Sequence, residues 1–218
     1  MGHPKQAVGL YFDIASMRFA SEKSWQAIAR MAESFHPGMR ESEARRLGLQ
    51  ILFDLGMERV WHPLHVRFGS NTLKTFKERS YDDPVLGEDD IYFIDIGPVF
   101  KGHEGDVGAT FTTGADPEKR ACALAVRTLF DAVRSQWLSA GLSGPALYDY
   151  AAAEAARMGW LLHLDIKGHR VSDFPHAIYK AGALGNFEGR PDPGIWVLEI
   201  QIAHSSRAFG AFYEDVLI

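Results

Sequence analysis

Four carboxylate residues interrupt short apolar segments that otherwise predict β-strands. They are Asp95 and Asp106 in one pair of segments and Glu199 and Glu214 in another pair near the carboxyl end. Because side chains alternate between the two faces of a strand, Asp95 and Glu199 each share a face with apolar strand residues. Burying a carboxylate without a partner costs several kcal/mol, so each of these positions requires compensation.

Each pair of segments predicts a β-hairpin, because a turn-forming stretch separates its two strands. We expect turns near residues 100–101 and 206–207, which would place Asp95 opposite Asp106 and Glu199 opposite Glu214. Like charges directly opposite one another destabilise a strand pair. A salt bridge or a solvent-facing position would resolve one such conflict. Two divalent cations would resolve both, and would leave room for a bridging hydroxide.

Histidine is the remaining type of ligand to look for near these acids. His169 and His176 lie in the irregular segment 167–176, just ahead of the second hairpin. Either imidazole could complete a ligand shell, although a lone histidine in such a segment is more often structural. A shell rich in oxygen with one imidazole suits Mn²⁺, Fe²⁺, Co²⁺ or Zn²⁺.

Hydrophobic periodicity and turn residues predict the elements that must position these side chains. We expect helices over 15–35, 41–55, 117–140 and 144–158, a strand over 60–68, and hairpins over 91–113 and 195–218. The order helix, helix, hairpin therefore occurs twice. Gly38 and Gly56 recur as Gly141 and Gly159 at a common offset of 103 residues, which suggests two similar halves, although glycines flank helices by coincidence too.

Composition limits the function classes that remain. The 28 acidic and 23 basic residues give a formal charge of −5, which provides no net attraction to nucleic acid or to an anionic membrane. The single cysteine, Cys122, excludes an internal disulfide framework and favours a reducing compartment. No apolar run approaches the roughly 18 residues of a membrane span. We therefore expect a cytoplasmic protein.

The spacing of the candidate ligands resembles that of the pita-bread (M24-type) metallopeptidases, which include methionine aminopeptidases and Xaa-Pro peptidases. The resemblance rests on Asp95-Ile96-Gly97 with Asp106 eleven residues after Asp95, on Gly168-His169 with His176 seven residues later, and on Glu199 and Glu214. Residues 37–41 and 69–71 look most like the Xaa-Pro branch. The resemblance covers residues 15–218.

The resemblance implies an α+β pita-bread fold, with two pseudo-symmetric helix-helix-hairpin halves around a dinuclear metal site. We expect one catalytic domain over 1–218, with 1–14 as an amino-terminal extension and without the amino-terminal domain of many Xaa-Pro enzymes. The implied roles are Asp95 on one ion, Asp106 and Glu214 bridging both, and His169 with Glu199 on the other. Glu199 would also relay a proton, and His176 would contact the scissile group or the tetrahedral intermediate.

Four departures from the family pattern affect the expected substrate site rather than the metal ligands. They are Phe76 where a histidine is usual, Ala109 where an arginine is usual, Arg170 in place of a glycine, and Ile200 in place of a proline. The guanidinium of Arg170 suits a carboxylate, so we predict that it anchors an acidic group of the substrate. The alternative is that Arg170 faces solvent or pairs with Asp173.

Three functions follow. The first is a hydrolase with two divalent ions that cleaves a peptide, amide or related C–N bond of a small molecule or short peptide. The second keeps the ions but performs other small-molecule chemistry, and the third is a non-catalytic module that binds a peptide or protein. Retention of all five ligands argues against the third. The sequence names neither the metal nor the substrate, and it allows a homodimer without requiring one.

Overall fold

A computed structural model describes residues 3–171 and 182–218 of the chain. Its first half contains two helices followed by strands, and its second half repeats that order. The first half comprises α1 (Ile14–Ser34), α2 (Glu41–Asp54), β1 (Arg59–Phe68), β2 (Ile91–Phe100), β3 (His103–Glu104) and β4 (Val107–Thr112). The second comprises α3 (Pro117–Ala140), α4 (Gly144–Arg157), β5 (Leu161–Leu162), β6 (His169–Arg170), β7 (Trp196–Ala203) and β8 (Gly210–Val216).

The helices begin and end at residues whose side chains or backbones suit those positions. Asp13 caps α1 by accepting hydrogen bonds from the backbone N–H groups of Ala15 and Ser16. Asp116 caps α3 in the same way, and Pro117 occupies the first helical turn. Gly141 ends α3 with a φ of 62°, a left-handed conformation that favours glycine. The four predicted helices are thereby confirmed, with boundaries within one or two residues.

The strands form one antiparallel sheet that crosses both halves. Its order is β1-β2-β4-β8-β7-β5, with β3 paired to β2 and β6 paired to β7. The halves meet where β4 lies beside β8, at the register pair Gly108 and Glu214. Thr110 strengthens this seam, because its hydroxyl donates to the carbonyl of Phe212 at 2.8 Å and accepts from its N–H at 2.7 Å. The predicted α+β fold with two similar halves is confirmed.

The two faces of the sheet differ in chemical character. The strand residues beside two of the acids, namely Ile94, Ile96, Leu198 and Ile200, belong to the same hydrophobic core as residues of all four helices. Because alternate strand residues point to opposite faces, Asp95 and Glu199 point away from that core. The sheet therefore carries an acidic surface on the face opposite its helices.

The two hairpins have different registers from one another. Glu199 lies opposite Glu214, as predicted. In the first hairpin, Asp95 lies opposite Gly108, so the predicted pairing of Asp95 with Asp106 is wrong. The turn lies one residue later than expected, at Lys101 and Gly102, whose φ values of 49° and 68° are those of a tight two-residue hairpin turn.

The two segments that look most like the Xaa-Pro branch have a structural role here. The buried carboxylate of Glu41, at the start of α2, accepts a hydrogen bond from the N–H of Phe68 at 3.2 Å. It also accepts one from the side-chain amide of Asn71 at 2.8 Å. These bonds fix the start of α2 against the end of β1.

Cys122 is buried in α3, and burial raises the pKa of its thiol to about 12, so it is an unreactive core residue. None of the helices within residues 3–171 and 182–218 has the length and apolarity needed to cross a bilayer.

Candidate metal centre

The four acids singled out in the sequence lie together on the face of the sheet opposite the helices. Asp95 is on β2, Asp106 immediately precedes β4, Glu199 is on β7 and Glu214 is on β8. Each is less than one tenth exposed. All four line a cavity of about 490 Å³. The seam between the halves therefore runs through the centre of the site.

His169, the predicted histidine ligand, lies beside the acids and belongs to β6. Its Nε2 atom lies 3.0 Å from Oδ2 of Asp106, and its Nδ1 atom lies 3.2 Å from the backbone carbonyl of Arg170. The preceding residue, Gly168, has a φ of 64°. A Cβ atom there would lie 2.3 Å from the backbone oxygen of Val197, so glycine allows the loop to pass close to β7.

Burial and mutual repulsion govern the protonation of this cluster. Burial raises the pKa of Glu199 to about 7, and burial with neighbouring acids raises that of Glu214 well above its usual value. Although burial opposes ionisation of Asp106 as well, the imidazoles of His62 and His169 hold its pKa below the ordinary range. In return, Asp106 outweighs the effect of burial and raises the pKa of His169 to about 10.

Two further residues, His62 and Glu104, lie beside the acids although the sequence did not predict them. Nε2 of His62 lies 3.1 Å from Oδ1 of Asp106 and 3.7 Å from Oδ1 of Asp95. Glu104 is 1% exposed and lines the same cavity. No motif spacing marks His62, because it approaches the acids only through the pairing of β1 with β2. Glu104 could have been found, since it lies between Asp95 and Asp106 in the predicted hairpin.

The residues present fit divalent cations. Ligand atoms gather in two groups, and within each group the three atoms lie within 4.8 Å of one another. His62, Glu104 and Asp106 form one group, and Asp106, His169 and Glu214 form the other, so the groups share Asp106. Oε1 of Glu214 is buried without a hydrogen-bond partner in the described part of the chain. Oδ2 of Asp106 receives no well-aligned hydrogen bond there either, despite the nearby His169. Carboxylate oxygens and imidazole nitrogens are ligands that first-row divalent metals take.

Of the two residues predicted to contact the substrate, His176 and Arg170, the structure describes only Arg170. His176 lies outside the described residues, so its proposed catalytic role stays a prediction. Arg170 is 9% exposed and is absent from the cavity lining. Its guanidinium donates to the backbone oxygens of Val171 at 2.7 Å and Ala7 at 2.6 Å. These bonds connect it to the amino-terminal segment; its role toward a substrate stays a prediction.

The other departures from the family pattern are distributed between the cavity and the core. Phe76 lines the cavity, where its ring is more than half exposed. Ala109 and Ile200 belong to the hydrophobic core on the helical side of the sheet. Of these three substitutions, therefore, only the one at Phe76 alters the wall of the cavity.

Comparison with known proteins agrees with this architecture. Among solved structures, the fold is similar to an X-Pro aminopeptidase from Thermotoga maritima (TM-score 0.77, 19% identity), which the chain matches over 97% of its own length and 62% of the other. It is also similar to a prolidase from Pyrococcus furiosus (TM-score 0.75, 19% identity), with a match over 93% of this chain and 59% of the other. A third similar structure is the dipeptidase PepE from Mycobacterium ulcerans (TM-score 0.76, 19% identity), with a match over 98% of this chain and 56% of the other. The chain spans less than two thirds of each.

The sequence matches a family model but no individual curated protein. A search of curated proteins finds no match. The sequence profile of metallopeptidase family M24 matches residues 15–216, which is nearly the whole chain. With its fold, its two similar halves and its cluster of buried acids and histidine, this chain belongs to the metallopeptidase family M24.

Proposed function

We propose that the chain is a hydrolase that uses two divalent metal ions to cleave a peptide, amide or related C–N bond of a small substrate. The observation that carries this proposal is the position of Asp106. It is fully buried and belongs to two groups of ligand atoms that otherwise share no residue. The imidazoles of those groups, His62 and His169, approach its two different oxygens. A carboxylate in that position is suited to bridge two ions.

The proposed ligands follow from this arrangement and from the family. Asp95 would bind one ion, and His169 and Glu199 would bind the other. Asp106 and Glu214 would bind both ions. The ions are drawn from Mn²⁺, Fe²⁺, Co²⁺ and Zn²⁺, which accept mixed oxygen and nitrogen ligands. When bound, such ions lower the pKa of a coordinated water and polarise a carbonyl group.

The residues of the chain would handle the proton and the substrate. Glu199, which lines the cavity, would take a proton from water and return it to the leaving nitrogen. His176 is proposed to contact the scissile group. The rings of Trp61 and Phe76 and the side chain of Lys77 line the cavity and would contact the substrate.

The size of the cavity supports a small molecule or short peptide as substrate, since about 490 Å³ lies at the small end of ligand pockets. We also propose a cytoplasmic location, which the lone buried Cys122 supports. A homodimer stays a prediction, to be checked by light scattering.

A second candidate function retains the ions but performs other small-molecule chemistry. It is favoured by Phe76, an apolar ring in the cavity wall where the family usually has a histidine. A screen of dipeptides and small amides, with products identified by mass spectrometry, separates the two. Release of an amine from any of them supports hydrolysis, whereas its absence with an ion-loaded protein supports the second candidate.

The first test replaces Asp106. We expect wild-type protein to bind two ions per chain and Asp106→Ala to bind at most one, with loss of any amidase activity. Asp165→Ala is the matched control, because Asp165 lines the same cavity but belongs to neither ligand group. Metal content is measured by mass spectrometry after equilibrium dialysis. Two tightly bound ions in Asp106→Ala would contradict the bridging role.

A further inference from the structure

His62 enters the metal centre from β1, the outer strand of the first half. Its backbone is the register partner of Gly97 on β2, and the pairing shifts on both sides of it. Pro63 follows directly, and proline cannot donate a ladder hydrogen bond. This local irregularity lets the ring of His62 lie over Gly97, where a Cβ atom would approach the ring to 2.2 Å.

The surroundings of His62 mirror those of His169. Nε2 of His62 lies 3.1 Å from one oxygen of Asp106, and Nε2 of His169 lies 3.0 Å from the other. In both rings Nδ1 faces the backbone carbonyl of the following residue, at 3.1 Å for Pro63 and 3.2 Å for Arg170. Each half of the fold therefore presents one imidazole to one oxygen of the same carboxylate.

This arrangement decides which nitrogen of His62 is available to a cation. A carbonyl oxygen only accepts hydrogen bonds, so Nδ1 carries a proton, and in the neutral ring the lone pair is on Nε2. A backbone partner on the second nitrogen is the usual way in which proteins orient a metal-binding histidine. Nε2 faces the cavity that Asp95 and Asp106 line.

The spacing of the atoms agrees with a shared ion. At metal–ligand bonds of about 2.1 Å, adjacent ligand atoms lie about 3.0–3.4 Å apart in octahedral or tetrahedral geometry. Nε2 of His62 lies 3.1 Å from Asp106, which is within that spacing, and 3.7 Å from Asp95, which is slightly above it. Glu104 offers an oxygen within 4.8 Å of the ligand atoms of His62 and Asp106.

We infer that His62 binds the first metal ion together with Asp95 and Asp106, as the counterpart of His169 on the second. This rests on the proposed dinuclear function and adds a ligand that the family resemblance does not assign. The first metal ion would then have an imidazole ligand as well as carboxylate ligands. Imidazole favours Zn²⁺, Fe²⁺ and Co²⁺ over Mn²⁺ and Mg²⁺ more strongly than carboxylate does.

The competing explanation is that His62 is a protonated counter-ion of the buried acids. The two roles predict opposite effects of His62→Ala. Removing a ligand weakens cation binding, whereas removing a competing positive charge from the same carboxylates strengthens it. The affinity for ions therefore distinguishes the two roles without any measurement of catalysis.

The experiment uses the whole chain, stripped of metal and dialysed against graded Zn²⁺ or Mn²⁺, with bound metal measured by mass spectrometry. His169→Ala is the positive comparison. His65→Ala is the matched control, because His65 lines the same cavity and stacks 6.2 Å from the ring of His62 but belongs to neither ligand group. Circular dichroism and thermal unfolding without metal establish that each variant folds.

We expect wild-type and His65→Ala proteins to bind two ions. His62→Ala should keep one and bind the other at least about 10-fold more weakly, with a larger loss for Zn²⁺ than for Mn²⁺. Two ions bound by His62→Ala as tightly as by wild type, or more tightly, overturn this inference alone. A loss of ion affinity in His65→Ala equal to that in His62→Ala overturns the inference as well. A wild-type chain that binds no divalent ion overturns the proposed function itself.

Discussion

The two halves of the molecule use glycine differently to bring an imidazole to Asp106. In the first half, Gly97 provides room on the neighbouring strand for the ring of His62. In the second half, Gly168 precedes His169 in the chain, and its backbone has a positive φ and passes close to the backbone of Val197. A side chain can move away from an added methyl group, whereas a paired strand backbone cannot. The second imidazole is therefore tied to the fold more rigidly than the first.

The largest effect on stability is expected for Gly168→Ala. The added Cβ would lie 2.3 Å from the oxygen of Val197, at a φ of 64° that alanine rarely adopts. Strain of this kind and forced displacement of packed atoms each cost about 1–3 kcal/mol. We expect the free energy of unfolding in chelator to fall by roughly 3 kcal/mol, measured by urea denaturation. A decrease below about 1 kcal/mol would show that this loop yields as easily as a side chain.

Arg170→Ala is expected to have an intermediate effect, because its guanidinium bonds two backbone carbonyls from a buried position. Losing these bonds should lower the free energy of unfolding by about 2 kcal/mol, within the range for buried charged hydrogen bonds. The matched measurement is the KM of an acidic and a neutral substrate, which we expect to change in parallel if the role is structural. A selective rise of roughly 10- to 100-fold for the acidic substrate would instead support its role as an anchor.

Gly97→Ala should have the smallest effect on folding, because the ring of His62 is 27% exposed and has the cavity to move into. We expect a cost of about 1 kcal/mol, at the low end of the range for overpacking. Displacement of the ring should nevertheless lower the affinity for one of the two ions by the same factor as His62→Ala does. Equilibrium dialysis measures this affinity. Full affinity for two ions in a folded Gly97→Ala protein would show that the ring position does not matter for binding.

The fold could be predicted to a large extent because helices and buried strands have periodic sequences and capping residues. The register of β7 and β8 was also predictable, since its turn falls where the polar residues are. The register of β2 and β4 was not, because Lys101 occupies a left-handed position that is more usual for asparagine or glycine.

The candidate site also contains residues that the sequence predicts and residues that it does not. Acids within apolar strands stand out in a sequence, and their side-by-side placement follows from hairpin pairing. His62 does not stand out, because it precedes a proline in an irregular strand, and its distance from Asp106 depends on how β1 pairs with β2. That pairing is a tertiary contact between distant parts of the chain, which local patterns do not encode.

The seam between β4 and β8 has a consequence for how the protein would lose bound metal ions. Asp95 and Asp106 belong to the first half, whereas His169, Glu199 and Glu214 belong to the second. Bound ions would thus act as reversible cross-links between the halves, closing long loops much as disulfide bonds do. A chelator would then loosen the molecule along its midline before either half unfolds. Faster hydrogen exchange at the amide of Phe212, which bonds to Thr110 across the seam, would report this opening.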